Sequence, residues 1–379
     1  MSHIDYAVRT PPTGWRKILA IHWPMVLAIV AIFGIGFVML YSVADGALTP
    51  WALPQARRFL VGLAVMFAVA LTPIELWRRL AWWSWGGTLL LLVVVAVAGD
   101  VGMGAQRWLQ IGPLRLQPSE LAKVTLVMAL AAYYAWLPPE KVSQPRWLVI
   151  PLLAILLPAA LIVQQPDLGT ALLLVMVGLA VMWLAGVHWG YFLTGILAAA
   201  GAVAAVFLSR GTSWQLLKNY QYRRIDVFLD PDLDPLGAGY HITQSKIAFG
   251  SGGLSGRGLM QGTQVQLNFL PEKHTDFIFT TLAEELGFIG SISLLGLYML
   301  VIAFAAWSAF SMRERFPALL THGLTINFFL YFAINMAMVM GLAPVVGVPL
   351  PLVSYGGSAM LVLMFSFGLI QSAIVHRPR

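Results

Sequence analysis

Apolar runs of about 20 residues, each long enough to cross a bilayer as a helix, follow one another along almost the whole chain. They fall at 23–44, 59–77, 80–98, 120–137, 147–163, 168–187, 189–208, 277–310, 317–343 and 356–375. Inside hydrocarbon every backbone amide needs a partner within its own segment, so such runs take the form of helices. The expected fold is all-α: a polytopic integral membrane protein of about ten transmembrane helices. Pro73 would interrupt the second run, and Pro151 and Pro158 the fifth, as membrane helices tolerate. The eighth run is long, so its first turns are expected outside the hydrocarbon. The first run, Trp23 to Ala44, exceeds the roughly 7–15 residues of a cleavable signal core and reads as the first spanning helix.

Composition removes the other broad classes. Apolar residues make up 59% of the 379 and charged ones only 10%, whereas a water-soluble domain carries about a quarter of its residues as charges. Cysteine is absent, which excludes disulfides, thiolate metal sites and cysteine nucleophiles. The formal charge of +7 does not indicate nucleic acid, because the basic residues are scattered through short connections. They report orientation instead. With the N-terminus inside, the inner segments hold Arg9, Arg16, Lys17, Arg78, Arg79, Lys141, Arg146, Arg313, Arg315, Arg377 and Arg379, and the short outer loops hold Arg57, Arg58, Arg107 and Arg115. The positive-inside rule then places both termini in the cytoplasm.

The chain reads as a single transmembrane domain, 1–379, with one unusual connection. Residues 209–276 form a large extracytoplasmic loop between the seventh and eighth helices, of mixed charge and rich in Gly and Asp. Loops longer than about 15 residues are usually functional or disordered, and Tyr240 to Phe249 is patterned as a surface helix, which favours function. No internal repeat is visible, against an inverted-repeat transporter.

Charges within membrane helices cost several kcal/mol unless paired or turned toward water, and so single out positions worth reading. Glu120 and Lys123 open the fourth helix three residues apart, on one face, where they can pair. They are either a structural ion pair or the wall of a polar cavity. Asp167, in Gln164-Gln-Pro-Asp-Leu-Gly-Thr, suits a helix cap. The densest group is Leu270-Pro-Glu-Lys-His-Thr-Asp-Phe, where the long loop enters the eighth helix. Thr275 or Asp276 could cap that helix; equally, a carboxylate at the lipid–water junction beside His274 and Lys273 is placed to take a proton from a sugar hydroxyl. Glu284 and Glu285, two turns further on, need partners, which Lys123 or Arg115 supply only if helices four and eight meet. Gly250-Ser-Gly-Gly-Leu-Ser-Gly-Arg-Gly lacks the Gly-Lys-Ser/Thr ending of a phosphate loop and reads as a tight, flexible turn. No His-Glu-x-x-His, Gly-x-Ser-x-Gly or Asp-rich metal loop occurs.

Five strings in order resemble one family: Arg107-Trp-Leu-Gln-Ile-Gly-Pro-Leu-Arg-Leu-Gln-Pro-Ser-Glu-Leu-Ala-Lys, Gln165-Pro-Asp-Leu-Gly-Thr-Ala, Gly239-Tyr-His-Ile-Thr-Gln-Ser-Lys, Phe269-Leu-Pro-Glu-Lys-His-Thr-Asp-Phe-Ile-Phe and Pro351-Leu-Val-Ser-Tyr-Gly-Gly-Ser. On these the chain is identified as a member of the shape, elongation, division and sporulation (SEDS) family, closer to its elongation branch (RodA) than to its division branch (FtsW). The resemblance implies a SEDS-type fold of ten helices in a bacterial inner (cytoplasmic) membrane. It implies a peptidoglycan glycosyltransferase that polymerises lipid II on the extracytoplasmic face and releases undecaprenyl diphosphate. It also implies a class B penicillin-binding protein as the transpeptidase partner, and a divalent cation, magnesium or manganese, although no metal site is legible. By motif, Asp276 matches the family's essential aspartate and Glu120 and Lys123 its buried polar pair. Arg115 and Asp167 match polar positions around the central cavity.

The chemistry fits that implication. A diphosphate is already a good leaving group, so one carboxylate as base and positive charge for the departing phosphates suffice, whereas hydrolysis of an ordinary glycoside generally needs two carboxyls. Asp276 is the expected base, with Arg115, Lys123, Arg223 or Arg224 as candidate cations and His274 beside the substrate. The alternative is a lipid II flippase, which should carry its decisive charges through both leaflets; here they cluster toward the outer side. A scaffold that only recruits the transpeptidase is a third option.

Overall fold

The computed structural model describes residues 14–102, 105–111, 114–216, 219, 222–223, 226, 229–230, 233, 238–266, 273–344 and 347–377. Ten long helices run through them: α1 (Trp23–Val43), α2 (Ala52–Leu71), α3 (Ile74–Ala98), α4 (Pro118–Trp136), α5 (Pro145–Gln164), α6 (Leu168–Leu184), α7 (Trp189–Ser209), then, after the shorter α8 (Ala238–Gly252), α9 (Ile278–Phe310), α10 (Arg315–Val339) and α11 (Gly357–Val375). Eight of the ten are long and apolar enough to span a membrane; α6 is apolar but has 17 residues, and α4 carries Glu120 and Lys123 in its first turns. The protein is a multi-pass membrane protein. Ten crossings return the chain to the side on which it began.

Two helix boundaries differ from the hydropathy reading. The second helix is Ala52–Leu71, not 59–77, and the third begins at Ile74 rather than 80. Pro73 does not bend a continuous helix; it separates two. Thr72 before it is extended (ψ 141°), the conformation a following proline ring imposes. Ser372 of α11 donates to the Thr72 carbonyl at 2.7 Å and so holds the break. Arg57 and Arg58, counted above as loop charges, therefore lie on α2.

The helices pack around a largely apolar core, and it is the surface that departs from a soluble protein's. Helix α4 is central: its residues from Pro118 to Tyr134 are almost all buried, Lys123 included. It packs against α3, α6 and α10, while α11 lies along α2, and α9 along α1 and α10. Large apolar side chains such as Val97, Trp83 and Phe310 point outward, as a lipid-facing surface requires. Helix α7 is the least enclosed, with only Ser209 buried.

The α3–α4 connection is not a plain loop. It forms a three-stranded antiparallel sheet of β1 (Asp100–Gly102), β2 (Ala105–Ile111) and β3 (Leu114–Leu116). Pairs Leu109↔Leu116 and Gln110↔Arg115 set the register of the second hairpin. This small sheet modifies the all-α expectation, and the alternating run Arg107-Trp-Leu-Gln-Ile was its sequence signal.

The glycine-rich segment after α8 is a structural plug rather than a free turn. Helix α9 is interrupted at Gly287 (φ 64°, ψ −158°), and the amides and carbonyls this releases pair with the segment. Arg257 N donates to the Glu284 carbonyl and Gly258 N to the Glu285 carbonyl, both at 3.0 Å, while Phe288 N and Ile289 N donate to Gly253 and Leu254. A Cβ at Gly256 (φ +79°) would sit 2.1 Å from the Glu285 carbonyl oxygen. Gly256→Ala is therefore expected to add about 1–3 kcal/mol of backbone strain to about 1–3 kcal/mol of overpacking. Thermal unfolding in detergent should show a lowered midpoint; an unchanged one would mean the plug is dispensable. Helix α8 is the amphipathic surface helix expected there: Thr243, Lys246 and Ile247 are exposed, while Ser245 and Ala248 are buried and Ser245 lies 2.9 Å from Thr280 of α9.

Candidate active site

Asp276 lies in the turn 273–277 ahead of α9, half-buried. It is not the cap: that position belongs to Phe277. Three hydrogen bonds fasten the turn's backbone to α10 and the α10–α11 connection. Asn335 Nδ2 donates to the Asp276 carbonyl (3.0 Å) and the Val348 carbonyl (2.7 Å). Ser354 Oγ donates to the Thr275 carbonyl (2.6 Å), and Tyr355 N to the His274 carbonyl (2.9 Å). The carboxylate faces Gly347, whose Cβ, were there one, would be 3.7 Å from Asp276 Oδ2. Removing Asn335's amide would take the donor from the buried Val348 carbonyl and from the half-buried Asp276 carbonyl, at about 1–3 kcal/mol for a buried group left unsatisfied. Asn335→Ala should therefore unfold measurably earlier than wild type; equal stability would show that the clamp is idle.

His274 belongs to an aromatic cluster. Its ring stacks on Trp51 (3.9 Å, 19°), and Trp51 meets Tyr355 edge-on at 4.9 Å. The Arg58 guanidinium lies 4.7 Å from the Tyr355 ring centre. Burial pushes the neighbouring Lys273 ammonium below its usual range, against the pull of Asp45 and Glu285. Trp51, Arg58, Asn335, Ser354 and Tyr355 were not read as site residues. Only the string Pro351-Leu-Val-Ser-Tyr-Gly-Gly-Ser marked two of them.

Glu120 and Lys123 form the expected ion pair at 2.7 Å, both buried. Tyr331 of α10 touches each of them, receiving from Lys123 and donating to Glu120. Glu120 and Tyr331 also line a cavity of about 40 Å³ that reaches Gln55, Asn327, Ser354 and Gly356. Glu120 thus belongs both to the ion pair and to the cavity wall, while Lys123 is not part of that wall.

Asp167 caps α6, accepting from Thr170 N at 3.3 Å, and is buried. Its other oxygen accepts from Gln117 Nε2 at 3.2 Å and lies 3.9 Å from Arg107. Arg107 in turn donates to the Gln165 and Pro166 carbonyls, which docks β2 on the α5–α6 turn. Arg115 stands exposed on β3, apart from the Glu120–Lys123 pair. Arg223 is exposed in the loop, and Arg224 lies outside the described residues.

Glu284 and Glu285 are not served by Lys123 or Arg115. Ser42 of α1 donates to Glu285 at 2.6 Å, and Thr263 Oγ1 and Gln264 N donate to Glu284, both at 3.1 Å. The plug and α1 occupy that side of α9. Among the described residues no group of three or more His, Asp or Glu could hold a metal ion. A protein cage for a divalent cation does not fit what these residues offer.

Residues 21–378 match the model of the family described as Cell cycle protein, FtsW, RodA and SpoVE. The chain belongs to this family. It is 43% identical over 319 residues to the peptidoglycan glycosyltransferase MrdB of Escherichia coli K12, covering 84% of each chain. It is 36% identical over 363 residues to the probable peptidoglycan glycosyltransferase FtsW of Trichlorobacter lovleyi, covering 91% of each. Among solved structures, a chain from a peptidoglycan synthase complex that coordinates polymerization and crosslinking superposes with a TM-score of 0.80 at 31% identity, covering 94% of this chain and 98% of that one. The rod shape determining protein RodA of Thermus thermophilus superposes with a TM-score of 0.71 at 29% identity, covering 95% and 99%. The ten-helix architecture is that of the FtsW/RodA/SpoVE family throughout.

Proposed function

We infer that this chain is a peptidoglycan glycosyltransferase that polymerises lipid II, with Asp276 as the general base. The observation that carries the reading is the half-buried Asp276 carboxylate, held by its clamped turn at the head of α9, in a chain whose relatives bear that activity in their names. Glu120, Asp167, Glu284 and Glu285 are buried and engaged by neighbours, which suits them to structure.

In the reaction a sugar 4-hydroxyl attacks the anomeric carbon of a second, lipid-linked sugar. The new C–O bond forms as the bond to the diphosphate breaks; the hydroxyl proton passes to Asp276 and the electron pair leaves with undecaprenyl diphosphate. The setting we propose is a bacterial inner membrane with Asp276 on the extracytoplasmic face, and a class B penicillin-binding protein as the crosslinking partner. A synthase-complex relative of 31% identity supports the partner.

Purified full-length chain with such a partner, given labelled lipid II, is expected to yield a ladder of glycan chains. If reconstituted vesicles instead move lipid II between leaflets and make no polymer, the flippase reading replaces this one.

A further inference from the structure

The end of α9 opposite Asp276 borders a second pocket. At about 1.5 Å per residue, the 33 residues of α9 carry the chain up to about 50 Å from Asp276, so this pocket is no part of the candidate active site. Four helix ends meet there: the last turns of α9 and α11 and the first turns of α3 and α10. Its volume is about 280 Å³, just under the roughly 300–1,000 Å³ of sites for drug-sized ligands. The wall carries charges of both signs, Arg313 and Arg377 with Glu75 and Glu314, and His376 beside them. Among the described residues the side chains of Arg313, Arg377 and Glu314 form no ion pair, and Glu75 has only the exposed Arg78, at 3.5 Å.

His376 shows which chemistry the pocket accepts. Its Nδ1 lies 3.0 Å from the Ser372 carbonyl; a carbonyl only accepts, so Nδ1 carries the proton. Burial, with Lys17 nearby, holds the ring below the usual imidazole pKa. The ring is therefore neutral and Nε2 keeps a lone pair. That Nε2 is buried and has no hydrogen-bond partner among the described residues. A buried acceptor calls for a donor. An ionised phosphate cannot supply one, whereas an ammonium with N–H groups can. The two carboxylates suit the same ammonium, and the two guanidinium groups suit a phosphate. Outside the pocket the surface is apolar: Phe310, next to Ser311 of the wall, is 78% exposed, and Leu76, next to Glu75, is 43% exposed. Such side chains on spanning helices face acyl chains, and charged pockets between helix ends are where lipid headgroups dock.

We propose that this pocket binds the headgroup of phosphatidylethanolamine, with the phosphate on Arg313 and Arg377 and the primary ammonium on Glu75, Glu314 and His376. Bound there, the lipid ties together the ends of α3, α9, α10 and α11. The site is independent of the glycosyltransferase reading. Phosphatidylglycerol brings no cation to the two carboxylates, and phosphatidylcholine brings a cation with no N–H to donate, so the pocket discriminates among the three.

Native mass spectrometry of the full-length chain in detergent, offered the three lipids with identical acyl chains, tests this. The ethanolamine lipid is expected to bind at least about fivefold tighter than either of the others, as a charge-assisted hydrogen bond made only by it implies. Arg313→Gln and Glu314→Gln should each weaken its binding about fivefold, the upper end for an exposed charge pair. Arg146→Gln, an equally exposed arginine at the start of α5, should bind as wild type. His376→Phe should abolish the preference for the ethanolamine lipid over the choline lipid. Arg313 and Glu314 are exposed, so their variants should fold and decide the matter if His376→Phe does not. Unchanged binding by those two variants overturns the site. A choline lipid bound as tightly as the ethanolamine lipid overturns the ammonium seat, and so does phosphatidylglycerol bound as tightly. Free phosphoethanolamine that competes as well as the whole lipid overturns the membrane lipid as occupant.

Discussion

Asp276→Asn should fold as wild type and polymerise lipid II about 10²–10⁴-fold more slowly, the usual consequence of losing a general base. The substitution keeps the side chain's size and shape, and the clamp on this turn is made through backbone carbonyls, the Asp276 carbonyl accepting from Asn335 and the Thr275 carbonyl from Ser354. Thermal unfolding should therefore not move. The loss should fall on kcat with KM nearly unchanged, because a base acts only as the proton leaves. Asp276→Glu is the companion variant. It restores the carboxylate but displaces it by a methylene from the position it holds beside Gly347. A misplacement of about 1 Å can cost about 10²-fold, so it should remain well below wild type. Rapid glycan synthesis by Asp276→Asn would remove the base from this position and return the buried carboxylates to consideration.

The large outline was legible because a bilayer leaves few options. Hydropathy alone found all ten helices, and a spacing of three was enough to pair Glu120 with Lys123. What escaped the sequence has three physical causes. The second run was carried through Pro73 as an interruption within one helix, although the extended Thr72 and its tie to Ser372 turn it into a separator; starting that run at 59 left Arg58 in a loop rather than on the helix. The partners of Glu284 and Glu285 are matters of tertiary packing, since Ser42 lies 243 residues from Glu285 in sequence and no local pattern links them. The plug at Gly287 is a third kind: glycine runs read as flexible when taken alone, yet here the missing Cβ atoms of Gly252, Gly256 and Gly287 let one backbone approach another. The residues that hold Asp276 come from α10 and the α10–α11 connection, 59 to 79 positions away, and only an ordered string around Ser354 hinted at them.

Lys123→Met should be the most damaging single change in the membrane interior. It keeps the length of the side chain and removes its charge, leaving Glu120 buried beside Tyr331 with no cation. Breaking a buried pair in this way destabilises by about 3–5 kcal/mol, because the remaining charge is uncompensated. The double variant Glu120→Gln with Lys123→Met removes both charges and should recover most of that loss, as neutral replacements of buried pairs commonly do. Unfolding of the wild type, both singles and the double in detergent forms a complete cycle, and the coupling between the two sites should exceed 1 kcal/mol, within the about 0.5–3 kcal/mol of side chains in contact. A single variant as stable as wild type would mean that water in the cavity already screens the pair. The double variant then separates the two roles the pair combines. If its fold is restored and glycan synthesis returns with it, the pair serves to hold α4 against α10. If the fold returns and synthesis does not, the charges shape the cavity that Glu120 lines, and the ion pair is part of the substrate's surroundings.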